Sequence, residues 1–385
     1  MNEQLKCIIK CVLQPLLKKY SLKKLNNKVR SIEDLYEKSP EVILYLDGKA
    51  ESAYQGNMWL EVLEKLDVST AIVVRNYFIF YTLNKTLTPV YYLPNFNDLE
   101  NLETAGVQII LYPANPQSVT QSLRLHRLSH FFINHGESDK VVNQSKLLMA
   151  YDKLLVAGDL AEERLLKSGL PIRKNQVVKV GRPQLEFLLD KRTRSEIKSI
   201  LYAPTWEGFV EEANYTSVSM YGLDLLNQLH EIANEKQIKI FFKPHPFTGT
   251  TKRNATDKYF REMKKLSEKY DFTIIGNNDS IYKYMNISDL MITDISSTII
   301  DYLYTDKPII LTNPKNMSRD LLKDDFKSSE ATYILDNVNL LKSLFSDIDK
   351  YDNLSDERKN IKDYILGDTN SSFSNFNELI CSSLK

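Results

Sequence analysis

The chain holds little cysteine: three residues in 385, Cys7, Cys11 and Cys381. So few thiols at those positions give neither a disulfide framework nor a zinc-ligand spacing, and they suit a reducing compartment. No apolar run approaches the roughly 18 residues needed to span a bilayer, so no spanning helix is expected. Charge of one sign is also missing: 50 Lys and Arg stand against 50 Asp and Glu, which argues against a general nucleic-acid binder. Repeats and low-complexity tracts are absent. A signal peptide is not expected either, because Lys10 interrupts the first apolar stretch and no small-residue cleavage site follows.

The N-terminal segment is informative. Leu5, Ile8, Ile9, Val12, Leu13, Leu16 and Leu17 recur at helical spacing. Lys6, Lys10, Lys18, Lys19, Lys23, Lys24, Lys28 and Arg30 oppose a single acid, Glu3. Two readings stay open: a basic amphipathic helix drawn to an anionic lipid surface, or a helix packed on its own domain with a solvated basic face. Pro15 shortens or kinks it in either case.

Short β-branched and aromatic runs then alternate with helical patterns. EVILYL (41–46), TAIVV (70–74), PVYYL (89–93), VQIILY (107–112), HFFIN (130–134) and KLLVAG (153–158) read as buried strands. After NQVVKVGRPQLEFLL (175–189) the rhythm restarts with SILYAPTWEG (199–208), IKIFFKPHP (238–246), DFTIIG (271–276), DLMITD (289–294) and PIILT (308–312). Two successive sets predict an α/β protein with two parallel-sheet domains. The expected division is a basic N-terminal segment 1–30, a first domain 31–190, a second 191–350, and a helical tail 351–385 that crosses back over the first domain. In such domains ligands bind beyond the carboxyl ends of the strands, and two domains facing each other make a cleft.

Polar residues gather at those strand ends. HGESDK follows FFIN, so His135 stands at a strand's carboxyl end, where a histidine can take a proton from a hydroxyl nucleophile. Gly136 suits a tight turn with close backbone approach, and Lys140 can hold an anion. KPHP places Lys243 and His245 around a proline at the end of IKIFF; donors fixed there suit a diphosphate. YAPTWEG offers Thr205, Trp206 and Glu207, with Trp206 either stacking on a base or filling an apolar surface. VGRPQLE supplies Arg182, which either grips a phosphate bidentately or forms a salt bridge. In LMITDISST a helix starts near Ser296 or Ser297, and its unpaired N–H groups favour an anion. Thr293, Ser296, Ser297 and Thr298 add hydroxyls there, without the glycine pattern of a P-loop. Asp294 repels phosphate, so it caps the helix or orients a neighbour.

HGESDK, VGRPQLE, YAPTWEG, KPHP and ITDISS occur in the order and at spacings that resemble the CDP-glycerol glycerophosphotransferase family of teichoic-acid and capsule polymer synthesis. The resemblance is good over 130–312 and looser before it. It implies a GT-B-like fold with two Rossmann-like domains facing across a cleft. It also implies transfer of glycerol phosphate from CDP-glycerol to a hydroxyl of a lipid-linked saccharide or growing polymer, with release of CMP. On that likeness His135 is the base, His245 contacts the donor phosphates, and Thr293, Asp294, Ser296 and Ser297 form a phosphate motif. Lys243, Arg182 and Thr205 join the donor side, and Lys140, Glu137 and Asp139 become acceptor or anion contacts. Two departures stand out: Glu137-Ser138-Asp139 replaces a frequent Thr-Pro-Leu, and LGDTNSSFSNF (366–376) lacks an arginine the family motif usually carries.

The expected protein is therefore a cytoplasmic transferase held peripherally at the inner leaflet. It needs a nucleotide-activated donor and a lipid-linked acceptor, no nucleic acid and no cofactor; a divalent metal is compatible but not implied. A GT-B glycosyltransferase, or a transferase using CDP-ribitol or a nucleotide sugar, is the alternative. A non-catalytic binding homologue is the second.

Overall fold

The structure is a computed structural model. It describes residues 30–49, 52–137, 145–190, 196–208, 211–251, 253–276 and 279–385. The amphipathic pattern of residues 1–29 lies outside the described residues, as do Ser138, Asp139 and Lys140.

Thirteen strands are described. The first sheet contains β1 (Val42–Leu46), β2 (Thr70–Val74), β3 (Val90–Tyr92), β4 (Ile109–Tyr112), β5 (Ser129–Phe132), β6 (Lys153–Val156) and β7 (Val177–Lys179), in the order β3-β2-β1-β4-β5-β6-β7. The second contains β8 (Ser199–Ala203), β9 (Lys239–Phe242), β10 (Thr273–Ile274), β11 (Leu290–Thr293), β12 (Ile309–Thr312) and β13 (Tyr333–Leu335), in the order β10-β9-β8-β11-β12-β13. Both sheets pair in parallel. The two-sheet α/β reading of the sequence is borne out, and both orders step outward from a central strand in the Rossmann manner.

Composition explains this architecture. Val42, Ile43, Leu44, Ile109, Ile110 and Leu111 are fully buried, as are Ile200, Leu201, Tyr202, Leu290, Met291 and Ile292. A strand buried on both faces needs a continuous apolar run, and helices on both faces bury it. In the second sheet one such layer joins Tyr202, Phe242, Ile292 and Ile310 to Leu225, Leu226 and Leu229 of the helix Val218–Lys236. The sequence reading named neither β7, which lies in the 175–189 stretch between the two sets, nor β13; β13 shows why. It is three residues long and only Leu335 of them is buried, so its pattern is that of a short edge strand.

By contacts the chain forms two units, one of residues 1–135, 147–154 and 377–385, the other of 136–146 and 155–376. In the first unit, Asn377 Nδ2 of the last helix donates to Asp67 at 2.6 Å. In the second, Phe373 packs edge-on against Phe187 with ring centres 5.1 Å apart, and its N–H donates to Glu186 at 2.7 Å. The 366–376 stretch thus lies against the segment that follows β7. Among the described residues no helix is long and apolar enough to cross a membrane.

Candidate active site

His135 follows β5 after a turn. The left-handed residue of that turn is Asn134, at φ +54°, a conformation asparagine tolerates better than most residues. Asn134 Oδ1 accepts from His135 N at 2.9 Å, and its carbonyl accepts Trp59 Nε1–H at 2.9 Å. The turn therefore does not rest on Gly136, contrary to the expectation. A Cβ at Gly136 would stand 3.4 Å from Ser297 Cβ, at ordinary van der Waals distance. The residue after the histidine thus lies beside the serine that begins the phosphate-motif helix.

His135 Nδ1 is 2.8 Å from the Pro113 carbonyl, and Tyr54 meets the ring edge-on at 5.7 Å. A carbonyl can only accept, so Nδ1 holds a proton and the lone pair of the neutral ring lies on Nε2. Pro113 follows β4, whose last residue Tyr112 pairs with Phe132 of β5. Adjacent strand ends bring the carbonyl to the ring.

In the second unit, Lys243, Pro244 and His245 follow β9. Phe247 N–H donates to His245 Nδ1 at 3.1 Å. An N–H can only donate, so here Nδ1 carries the lone pair and the neutral ring's proton sits on Nε2. Trp206 stacks on this ring at 5.8 Å and 16°. The sequence left Trp206 between a base and an apolar surface; in the structure it lies against both the histidine and Phe247, the latter ring 5.4 Å away. Lys243 is buried, donates to the Gly276 carbonyl at 2.5 Å, and has its pKa lowered to about 8 by burial.

The end of β11 and the residues after it divide into buried anchors and partly exposed hydroxyls. Thr293 is fully buried and donates to the Ala203 carbonyl at 2.7 Å. Asp294 is fully buried too. It accepts from Thr205 N at 2.8 Å, from Ser217 N at 3.1 Å and from the Thr312 hydroxyl. Burial raises its pKa, against those hydrogen bonds. Placing Asp294 and Thr293 among phosphate contacts is therefore corrected: their side chains hold the ends of β8, β11 and β12 together. Thr205 is buried in the same knot, its carbonyl accepting from Thr216 Oγ1 at 2.8 Å. Asp294 orients neighbours rather than capping; Ser296 is the N-cap of the helix Ser297–Leu303. Ser296 Oγ lies 2.6 Å from Thr298 Oγ1, which lies 3.0 Å from Thr293 Oγ1, so one chain of hydroxyls marks the helix start. Ser296 and Ser297 are both partly exposed.

Arg182 also receives a correction. It is 3% exposed and its Nη2 donates to Asp301 Oδ1 at 2.7 Å. Tyr282 donates to the other oxygen of Asp301 at 2.8 Å. Glu137 accepts from Ala157 N at 3.2 Å, its pKa raised by burial and lowered by the charge of Arg182. Of the sequence's two readings of Arg182, the salt bridge is the one present. It sits between Glu137, two residues past His135, and Asp301, one turn past Ser297. Glu137 is turned toward this buried cluster, away from the role of an acceptor contact.

Sequence reasoning missed Pro113, Ser217 and Thr312. A signal existed for Pro113 alone, since residues just past neighbouring parallel strands share one edge; Thr312 ends β12 and Ser217 precedes the helix Val218–Lys236. Among the described residues no three His, Cys, Asp or Glu side chains gather as metal ligands.

Two parallel-sheet Rossmann-like domains, each with a histidine just past the carboxyl end of a strand, define an α/β protein of GT-B-like fold. The chain belongs to the CDP-glycerol:poly(glycerophosphate) glycerophosphotransferase family, whose model matches residues 126–364. It is 27% identical over 242 residues to the minor teichoic acid biosynthesis protein GgaB of Bacillus subtilis (strain 168), covering 56% of this chain and 25% of that protein. It is 31% identical over 154 residues to the teichoic acid poly(glycerol phosphate) polymerase of Staphylococcus epidermidis, covering 38% of this chain and 19% of that one. The match thus spans a quarter or less of the length of these relatives. In fold it is similar to the wall teichoic acid polymerase TagF, with a TM-score of 0.60 at 14% identity, covering 99% of this chain and 97% of that one. A TagF variant soaked with CDPG aligns with a TM-score of 0.58 at 15% identity over 96% of this chain and 98% of that one.

Proposed function

We propose that this chain transfers glycerol phosphate from CDP-glycerol to a hydroxyl of a lipid-linked saccharide or growing teichoic-acid-like polymer. The acceptor oxygen attacks the β-phosphorus, the bond from that phosphorus to the bridging oxygen breaks, and CMP leaves with the bridging oxygen. The acceptor proton passes to His135 Nε2. His245 Nε2–H, the Lys243 ammonium and the Ser296/Ser297 helix start neutralise charge on the diphosphate. The observation that carries this reading is the opposite proton arrangement of the two histidines inside a matched family segment. One is set to accept a proton and the other to donate a hydrogen bond. The CDPG-soaked relative supports the choice of donor.

Work on a lipid-linked acceptor fits a site at the inner leaflet, with the basic segment 1–30 as the attachment. The protein would then be cytoplasmic and peripheral.

The test is CMP release from CDP-glycerol by the purified full chain, with a lipid-linked disaccharide or membranes as acceptor. CMP together with a new phosphodiester, both lost in His135→Ala, supports the proposal. A folded wild type that forms a glycosidic product from a nucleotide sugar, and releases no CMP from CDP-glycerol, defeats it.

A further inference from the structure

Glu207 follows Trp206 in YAPTWEG and is fully buried. Its Oε2 accepts from Gly249 N at 3.0 Å. Its Oε1 accepts from Thr251 N at 3.0 Å and from Thr251 Oγ1 at 2.8 Å. Three donors on one carboxylate, all from a single short loop, fix that loop firmly. Gly249 is at φ +78°, and a Cβ there would come 3.0 Å from the Asp257 backbone, so the loop also passes close to the next helix.

This is the loop that sets His245. Within it, Phe247 N–H donates to His245 Nδ1 at 3.1 Å, and Thr248 N–H donates to the His245 carbonyl at 2.9 Å. From the other side Trp206, the residue before Glu207, stacks on the imidazole. Two adjacent residues therefore act on one ring: Trp206 fixes its plane, and Glu207 fixes the backbone that decides which nitrogen bears the proton.

We infer that Glu207 is a positioning residue for His245. It holds the 246–251 loop so that Phe247 N–H keeps His245 in the Nε2–H form that a donor diphosphate needs. The inference rests on the proposed function for what that N–H binds, but the ring's proton arrangement can be read without any substrate. A carboxylate is required because every partner is a donor. In Glu207→Gln one oxygen becomes an NH2 that faces an N–H, and a clamp of acceptors becomes a clash of donors.

The experiment uses the full chain labelled with 15N-histidine, near neutral to mildly alkaline pH so that the rings are neutral. His245 signals are assigned by their loss in His245→Asn. Wild type should show a protonated Nε2 and a bare Nδ1 at His245. Glu207→Gln should move both nitrogens toward a mixture of the two forms. The KM for CDP-glycerol should rise about tenfold while kcat changes less, because a misplaced binding group loses donor affinity. Thr251→Val removes one of the three donors and should shift both readouts in the same direction by less. A folded Glu207→Gln with the wild-type His245 pattern and KM overturns the inference. If that variant does not fold, an unshifted Thr251→Val overturns it instead. A wild type inactive on CDP-glycerol defeats the proposed function alone, since the imidazole signals still decide whether Glu207 sets the ring.

Discussion

His135 and His245 stand at corresponding places, each just past a parallel strand, yet they are held in opposite states. Nδ1 of the first meets a carbonyl, from Pro113; Nδ1 of the second meets an N–H, from Phe247. The side chain is the same, and the backbone partner alone reverses which nitrogen carries the proton. The surroundings differ as well. His135 rests on neutral groups: Asn134, Trp59 and the edge of Tyr54. The His245 region rests on buried carboxylates, Asp294 and Glu207, that gather backbone N–H groups. A proton acceptor gains from neutral neighbours that leave its basicity intact. A phosphate seat gains from a rigid frame whose own negative charge is turned inward and neutralised by donors.

Glutamine breaks this comparison most sharply. Its amide can donate a hydrogen bond from near the position of Nε2, but it cannot take up a proton. His135→Gln should therefore be as inactive as His135→Ala, with kcat reduced about 10²–10⁴-fold, the range of a lost general base. His245→Ala should lose about 10²-fold in kcat/KM, the cost of one missing donor to a developing charge, and His245→Gln should recover part of that loss. CMP release under steady-state conditions measures all four variants. Equal recovery by both glutamines would mean that the two rings do the same job.

The buried frame gives the next effect. Asp294→Leu keeps about the size but removes the one acceptor of Thr205 N–H, Ser217 N–H and the Thr312 hydroxyl. Each of these is a donor to the present carboxylate. Stability should fall by about 1–3 kcal/mol, the usual cost of a buried group left unsatisfied. Urea unfolding measures it, and an unchanged midpoint would remove Asp294 from the frame.

The same contrast explains what the sequence made legible. Both sheets were readable because strands buried on two faces leave continuous apolar runs, as in VILYL and LMIT. The strand-end motifs were readable because polar residues after such runs have few other reasons to be there. Misplaced were residues whose role depends on which way a side chain turns. Thr293 and Asp294 sit in a phosphate-like motif, but both point into the sheet edge. Arg182 looked like an anion ligand, yet it closes a buried pair with Asp301. Ser217 and Thr312, far apart in sequence, meet Asp294 only through the order of β8, β11 and β12. Strand order, unlike strand identity, is not written in local composition.

Lys243 supplies the smallest effect, and its sign separates a binding role from a structural one. Burial lowers its pKa to about 8. If its ammonium meets the donor diphosphate, kcat/KM should fall as pH rises through about 8, because that ratio reports the free enzyme's ionisations. Lys243→Arg should carry the limb to higher pH, since a guanidinium does not deprotonate there. Stability should run the other way. Between about 8 and 10.5 the unfolded chain binds more protons at this lysine than the folded one, so this group makes stability rise with pH across that window and adds no slope below it. Lys243→Met should flatten that slope. Donor affinity and stability moving in opposite directions through the same pH range would mark a cation held in a dehydrated seat for an anion. A flat kinetic profile beside an intact stability slope would leave Lys243 as the anchor of the Gly276 carbonyl and no more.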